Sequence, residues 1–210
     1  MVNNDYKVCR FCCHIIQGGD IVKKIKVGIV GFGQIGPVHL NSYKMIEDKV
    51  EVVAVVDIRK ERLHLAQDQY DVKNVFSDYR ELLGMSTVDV IDVCIPTYEH
   101  HKLVLEAAQK GKHIFCEKPM AMKMEDVLDM ESVCKDRGVK LQLGFVRRFD
   151  NEWLKFKEIV SDGLLGRPVV WRSASAGQGA PTPWFFKRDL GGGPFIDGAE
   201  KQLNEICWKR

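Results

Sequence analysis

The chain has 210 residues, 45% of them hydrophobic, and sets 31 basic residues against 29 acidic ones for a net charge of +2. That length supports a buried core and one or two domains. The balanced charge, without a dense Lys/Arg block interleaved with aromatics, excludes nucleic acid and anionic membranes as argued partners. No apolar run reaches the roughly 18 residues of a membrane span, and the N-terminus lacks the basic, apolar and small-residue order of a secretory signal, so the expected compartment is cytoplasmic.

Residues 1–23 read as a poorly ordered leader. They contain Cys9-Arg10-Phe11-Cys12-Cys13-His14, whose Cys-x-x-Cys spacing and histidine would supply half of a zinc site; no second half lies nearby, so no metal is expected. Seven cysteines are present, and Cys94, Cys116, Cys134 and Cys207 stand singly in apolar or helical contexts, as reduced thiols do.

From Ile25 onward, short β-branched runs alternate with longer segments of helical period, the pattern of repeated βαβ units and a parallel sheet. Six strands are predicted, over 25–31, 51–57, 74–76, 90–95, 113–116 and 140–144. Helices are predicted between them over 35–47, 60–70, 78–84, 99–110 and 124–137. The first strand runs into Gly31-Phe32-Gly33-Gln34-Ile35-Gly36, a Gly-x-Gly-x-x-Gly turn at a helix start. Gly31 permits the turn, Gly33 admits a pyrophosphate close to the backbone, and Gly36 allows the helix to pack tightly on the strand.

About twenty residues further on, a second apolar run ends in Asp57, where an acid accepts hydrogen bonds from an adenosine ribose. An acid there favours NAD; Ile58 and Arg59 adjoin it, and Arg59 would bind a 2'-phosphate, which leaves NADP open. The fold expected for residues 24–145 is a Rossmann-type doubly wound α/β domain. Its ligand edge should gather Gly31 to Gly36, Asp57, Pro96, Thr97, His100 and Glu117 to Pro119 at the carboxyl ends of the strands.

Pro96-Thr97-Tyr98-Glu99-His100 follows the fourth strand and Glu117-Lys118-Pro119 the fifth. With the glycine turn, with Gly144-Phe145-Val146-Arg147-Arg148-Phe149-Asp150 and with Gly191-Gly192-Gly193-Pro194-Phe195-Ile196-Asp197, these motifs resemble those of the Gfo/Idh/MocA oxidoreductases, from about residue 25 to the end. The resemblance implies that Lys118 reaches a substrate hydroxyl beside the nicotinamide and exchanges a proton with it, Glu117 and Pro119 holding its loop. It also implies a cis bond before Pro119 in many members. His100 either lines the nicotinamide side or is structural, while His101 reads as an exposed helix-start residue. Arg147 either contacts cofactor or substrate or forms an ion pair with Asp150 or Glu152.

Residues 146–210 read as part of a second, α+β domain: a helix from 151 to 160, a strand at 169–173, a long loop rich in glycine, proline and aromatics, and a helix over 195–208. One strand cannot make a covered sheet, so this substrate and oligomerisation domain reads as incomplete. In the inositol dehydrogenase pattern, the aspartate matching Asp197 is followed one helical turn later by a histidine; this chain has Lys201, which forms a salt bridge with Asp197 or replaces the missing base. The expected function is therefore hydride transfer between a polyol or sugar secondary alcohol and NAD(P), with homo-oligomers implied by the family. The alternatives are a truncated dinucleotide-binding chain without catalysis and, more distantly, a lyase or reductase on the same fold.

Overall fold

The computed structural model describes residues 23–166, 170 and 182–191. Its strands are β1 (Ile25–Val30), β2 (Val50–Val56), β3 (Asn74–Phe76), β4 (Val90–Val93), β5 (His113–Cys116) and β6 (Leu141–Leu143). Between them run α1 (Ile35–Lys44), α2 (Lys60–Tyr70), α3 (Tyr79–Gly84), α4 (His100–Gln109) and α5 (Met124–Asp136). The strands pair in the order β3-β2-β1-β4-β5-β6, each neighbouring pair parallel. This is the expected doubly wound sheet, with its switch point between β1 and β4, where two crossovers leave in opposite directions.

The elements stop for local reasons. β4 ends at Val93, short of the expected residue 95, because the chain then turns into Pro96, which has no N–H for a ladder. A short 3-10 turn, Thr97–Glu99, leads from that proline into α4. α1 ends at Lys44 rather than 47; the chain then tightens, with the Lys49 and Val50 N–H groups both donating to the Ile46 carbonyl, and enters β2.

Alternation along the central strands sends side chains to opposite faces, and both faces are buried. Val30, Ala54, Val56, Ile91 and Val93 pack with Leu82 of α3, Leu103 and Val104 of α4 and Met130 of α5. Ile29, Val55 and Val90 pack on the other face with Leu40 of α1, Ala66 of α2 and Phe32. Each fully buried Ile, Leu or Met contributes about 1.5–3 kcal/mol, and the strands' near-continuous apolar composition reflects this double cover.

The chain divides into two compact units, residues 1–144 and 145–210. In the second, Asp150 Oδ1 accepts from the Glu152 N–H at 2.9 Å and caps α6 (Asn151–Ser161), on which Trp153 and Phe156 meet edge to face. A 3-10 turn, Pro183–Phe186, and the short α7 (Arg188–Gly191) follow. The leader with Cys9, Cys12, Cys13 and His14, the strand expected at 169–173 and the helix expected at 195–208 lie outside the described residues. Among the described residues no helix is long and apolar enough to cross a membrane.

Candidate functional site

The β1–α1 turn is shaped by backbone proximity. Gly31 has φ +97°, and a Cβ there would lie 2.5 Å from the Cys94 carbonyl oxygen. A Cβ on Gly36 would overlap the Gly31 carbonyl, so α1 can approach β1 only with glycine at this position. Gly33 differs from both: the nearest atom to its missing Cβ is Arg59 Nη2 at 3.5 Å, which leaves open ground above the turn. The Gln34 side chain makes no capping hydrogen bond to α1, and the first turn holds no acidic residue. The N–H groups at this helix start therefore point outward with the positive end of the helix dipole and without an internal partner from the cap. Gln34 and Ile35 are exposed, whereas Phe32 is buried against Tyr70.

Asp57 stands at the end of β2 and is 7% exposed. Its Oδ2 accepts from the Phe32 N–H at 2.8 Å, which ties the glycine turn to the second strand. Oδ1 accepts from the Arg59 N–H at 2.9 Å and from Arg59 Nε at 3.1 Å. Burial pushes this carboxyl up, but the bonds from the Arg59 side chain and from the Arg59 and Phe32 amides outweigh it and hold Asp57 below the usual carboxylate range. Ile58 beside it is 86% exposed, an apolar side chain held in solvent at the ligand edge.

The loops after β4 and β5 are joined through His100, which is 1% exposed. Its Nε2 lies 2.8 Å from the Ile95 carbonyl oxygen and its Nδ1 3.0 Å from that of Pro119. Burial lowers its pKa despite the two carbonyls, so the ring is neutral and donates to one of them at a time. In this position it clips the Pro96 loop to the Glu117-Lys118-Pro119 loop. Thr97 is buried and Pro96 partly so; the Lys118–Pro119 bond is cis. Lys118 is half-buried, and its amide donates to Glu117 Oε2 at 3.2 Å. His101 is half-exposed and pairs with Asp129 at 2.8 Å.

Sequence reasoning passed over the side chains beneath this edge. Asp92, 0% exposed on β4, accepts from His39 Nδ1 at 2.9 Å and from the Tyr43 hydroxyl at 3.0 Å. His39 and Tyr43 are one helical turn apart on α1 and therefore share a face. The other nitrogen of His39, Nε2, lies 3.3 Å from Glu117 Oε1. A signal was available: a charged residue inside Val90-Ile91-Asp92-Val93 demands a buried partner. His39, Asp92 and Cys94 also bring ligand-type atoms within 4.8 Å of one another. They are already bonded among themselves, with Cys94 Sγ 3.3 Å from His39 Nδ1 and 3.5 Å from Asp92 Oδ1, and burial together with the Asp92 charge pushes the Cys94 thiol up.

In the second unit, the Arg147 guanidinium lies 4.7 Å from the centre of the Trp153 ring. Asp197 and Lys201 lie outside the described residues.

Residues 25–145 match the model of an oxidoreductase family described by its NAD-binding Rossmann fold. The chain belongs to the Gfo/Idh/MocA oxidoreductases. Over 173 residues, 82% of this chain, it is 38% identical to a myo-inositol 2-dehydrogenase of Thermotoga maritima and covers 51% of that protein. A crystal structure of a probable dehydrogenase from Thermotoga maritima matches 87% of this chain and 54% of its own, with 32% identity and a TM-score of 0.72. The scyllo-inositol dehydrogenase of Lactobacillus casei, solved with NAD(H) and scyllo-inositol, matches 69% of this chain and 43% of its own at 30% identity and a TM-score of 0.65. The chain thus spans about half the length of the curated relatives it matches.

The cofactor half of this family member fits NAD on its own geometry. The uncapped start of α1 offers N–H donors to a pyrophosphate, and the open ground over Gly33 gives the phosphates room. Asp57, held ionised, could accept from a ribose hydroxyl, with the Arg59 guanidinium bonded beside it.

Proposed function

We propose that this chain carries the cofactor half of an NAD-dependent dehydrogenase that oxidises a secondary alcohol of an inositol-like polyol or a sugar. The observation that carries the reading is the convergence of the open glycine turn, ionised Asp57 and Lys118 on one edge of the sheet. Bound NAD would supply the hydride-accepting nicotinamide. The chain's residues would do the rest: Gly31 to Gly36 hold the pyrophosphate, and Asp57 holds the adenosine ribose between Ile58 and Arg59. Pro96, Thr97, His100 and Glu117 shape the nicotinamide side.

Lys118 would take the hydroxyl proton as the carbon–hydrogen bond gives up its hydride, the step that lets the alcohol become a carbonyl. Arg147, Asp197 and Lys201 would belong to the substrate side, in a domain beginning near residue 146. The relatives named as inositol dehydrogenases support this substrate class. A homo-oligomer in the cytoplasm completes the reading, and light scattering tests its assembly.

A second reading is NAD binding without turnover: the glycine turn and Asp57 lie within the residues that match the NAD-binding family model, whereas Asp197 and Lys201 lie outside the described residues. One experiment separates the two. NAD at a hundred times its Kd should stabilise the folded chain by about 2.7 kcal/mol. Reduced nicotinamide should then accumulate with at least one member of a panel of inositols and hexoses, and the Lys118→Ala variant should bind NAD but form none. Stabilisation without product from any substrate refutes the dehydrogenase and leaves the binding protein; no stabilisation refutes both.

A further inference from the structure

The Glu117 carboxylate is held on three sides. Oε1 faces His39 Nε2 at 3.3 Å, Oε2 accepts from the Lys118 amide at 3.2 Å, and the group lies directly on Gly144, where a Cβ would come within 2.5 Å of Oε1. His39 is fixed as firmly. Its Nδ1 lies 2.9 Å from Asp92 Oδ2, the Phe115 ring lies 5.6 Å away, centre to centre, and Tyr43 holds Asp92 from the same helix. Both ring nitrogens thus face carboxylate oxygens, and only an imidazolium donates from both at once.

We infer that His39 is a positioning residue: it bridges buried Asp92 to Glu117, and by fixing that carboxylate it holds the Lys118 amide and sets where the lysine departs from the sheet edge. The inference deepens the proposed function, since it rests on Lys118 as the proton-transfer group. The groups facing His39 are Asp92 from β4, Cys94 just after that strand, Tyr43 from α1 and Glu117 from the loop after β5. Of these Asp92 contributes most to its charge. Burial opposes the cation, and the attraction and hydrogen bond of Asp92 outweigh it, raising the His39 pKa far above that of free histidine. A carboxylate anchored through a charged donor holds its acceptor geometry better than one facing water, because charge-assisted bonds are shorter and stronger.

The test uses the full chain labelled with nitrogen-15. Wild-type His39 should show protons on both ring nitrogens at neutral pH. In His39→Gln, whose single amide cannot span both carboxylates, exchange of the Lys118 amide should accelerate by about tenfold, the loss expected for one charge-assisted bond. The amides of β1 should not change. If His39→Gln does not fold, Gly144→Ala pushes Glu117 aside while leaving the His39–Asp92 pair whole. It should accelerate the same amide and preserve both ring protons.

Unchanged Lys118 exchange in the folded variants overturns the inference. So does stoichiometric zinc uptake that displaces the Nδ1 proton, which would make these side chains a metal site. Neither readout needs turnover, so a chain that shows the bridge but oxidises no alcohol refutes the proposed function alone.

Discussion

The two ends of the ligand edge are built in different ways. At the β1–α1 turn, glycines and backbone amides make the site: what matters is where a Cβ is missing and where a helix starts without a cap. At the β4 and β5 ends, side chains make it: neutral His100 clips two carbonyls, and His39 links two carboxylates. Backbone sites tolerate change in their surroundings because the turn carries its own geometry, whereas a side-chain network fails when any one member is lost. Stability should therefore depend more on the second end and cofactor affinity more on the first.

The largest effect should come from Asp92→Ala, which leaves the His39 cation buried without its main partner. A loss of about 3–5 kcal/mol is expected, read as the shift in urea midpoint, and a loss under about 1 kcal/mol would show that the pair is weak. At the other end, Gly36→Ala should cost about 1–3 kcal/mol, because its methyl overlaps the Gly31 carbonyl and α1 must shift. Gly33→Ala should separate affinity from stability. With only Arg59 Nη2 at 3.5 Å the methyl fits the empty turn, so melting should change little while NAD binding weakens by at least about tenfold. Equal losses in melting temperature and affinity would erase the contrast between the two ends.

The smallest effect is a difference in sign between the two histidines. His100 has a pKa below the unfolded value of 6.5, so its contribution is present above pH 6.5 and is lost as the pH falls below it toward its folded value. His39 has a pKa above 6.5, so its contribution is complete below pH 6.5 and declines as the pH rises. Chemical denaturation from pH 5 to 9 should therefore show His100→Gln less sensitive than wild type on the acid side and His39→Gln less sensitive on the alkaline side.

Most of the nucleotide half was legible because its signals are local. β-branched runs bounded by turns fall on the six strands to within a residue or two, and the glycine spacing located the turn before any tertiary contact was known. Asp57 was legible for the same reason, since it follows β2 directly. His39, Asp92 and Cys94 were not legible as a group. Cys94 reads alone as an apolar thiol and His39 as one residue of a helix; Asp92 announced a missing partner without naming it.

Residue types and periodicity by themselves determined the doubly wound domain, its dinucleotide turn and the edge where Lys118 stands, because strand alternation and glycine geometry act over a few residues. Only the tertiary structure decided that His39 meets Asp92, 53 positions away, and Glu117 beyond it. The physical reason is the strand order. With β4 inserted beside β1, Asp92 of β4 comes within reach of the His39 and Tyr43 face of α1, and a carboxyl closed off from water there needs polar partners from that helix.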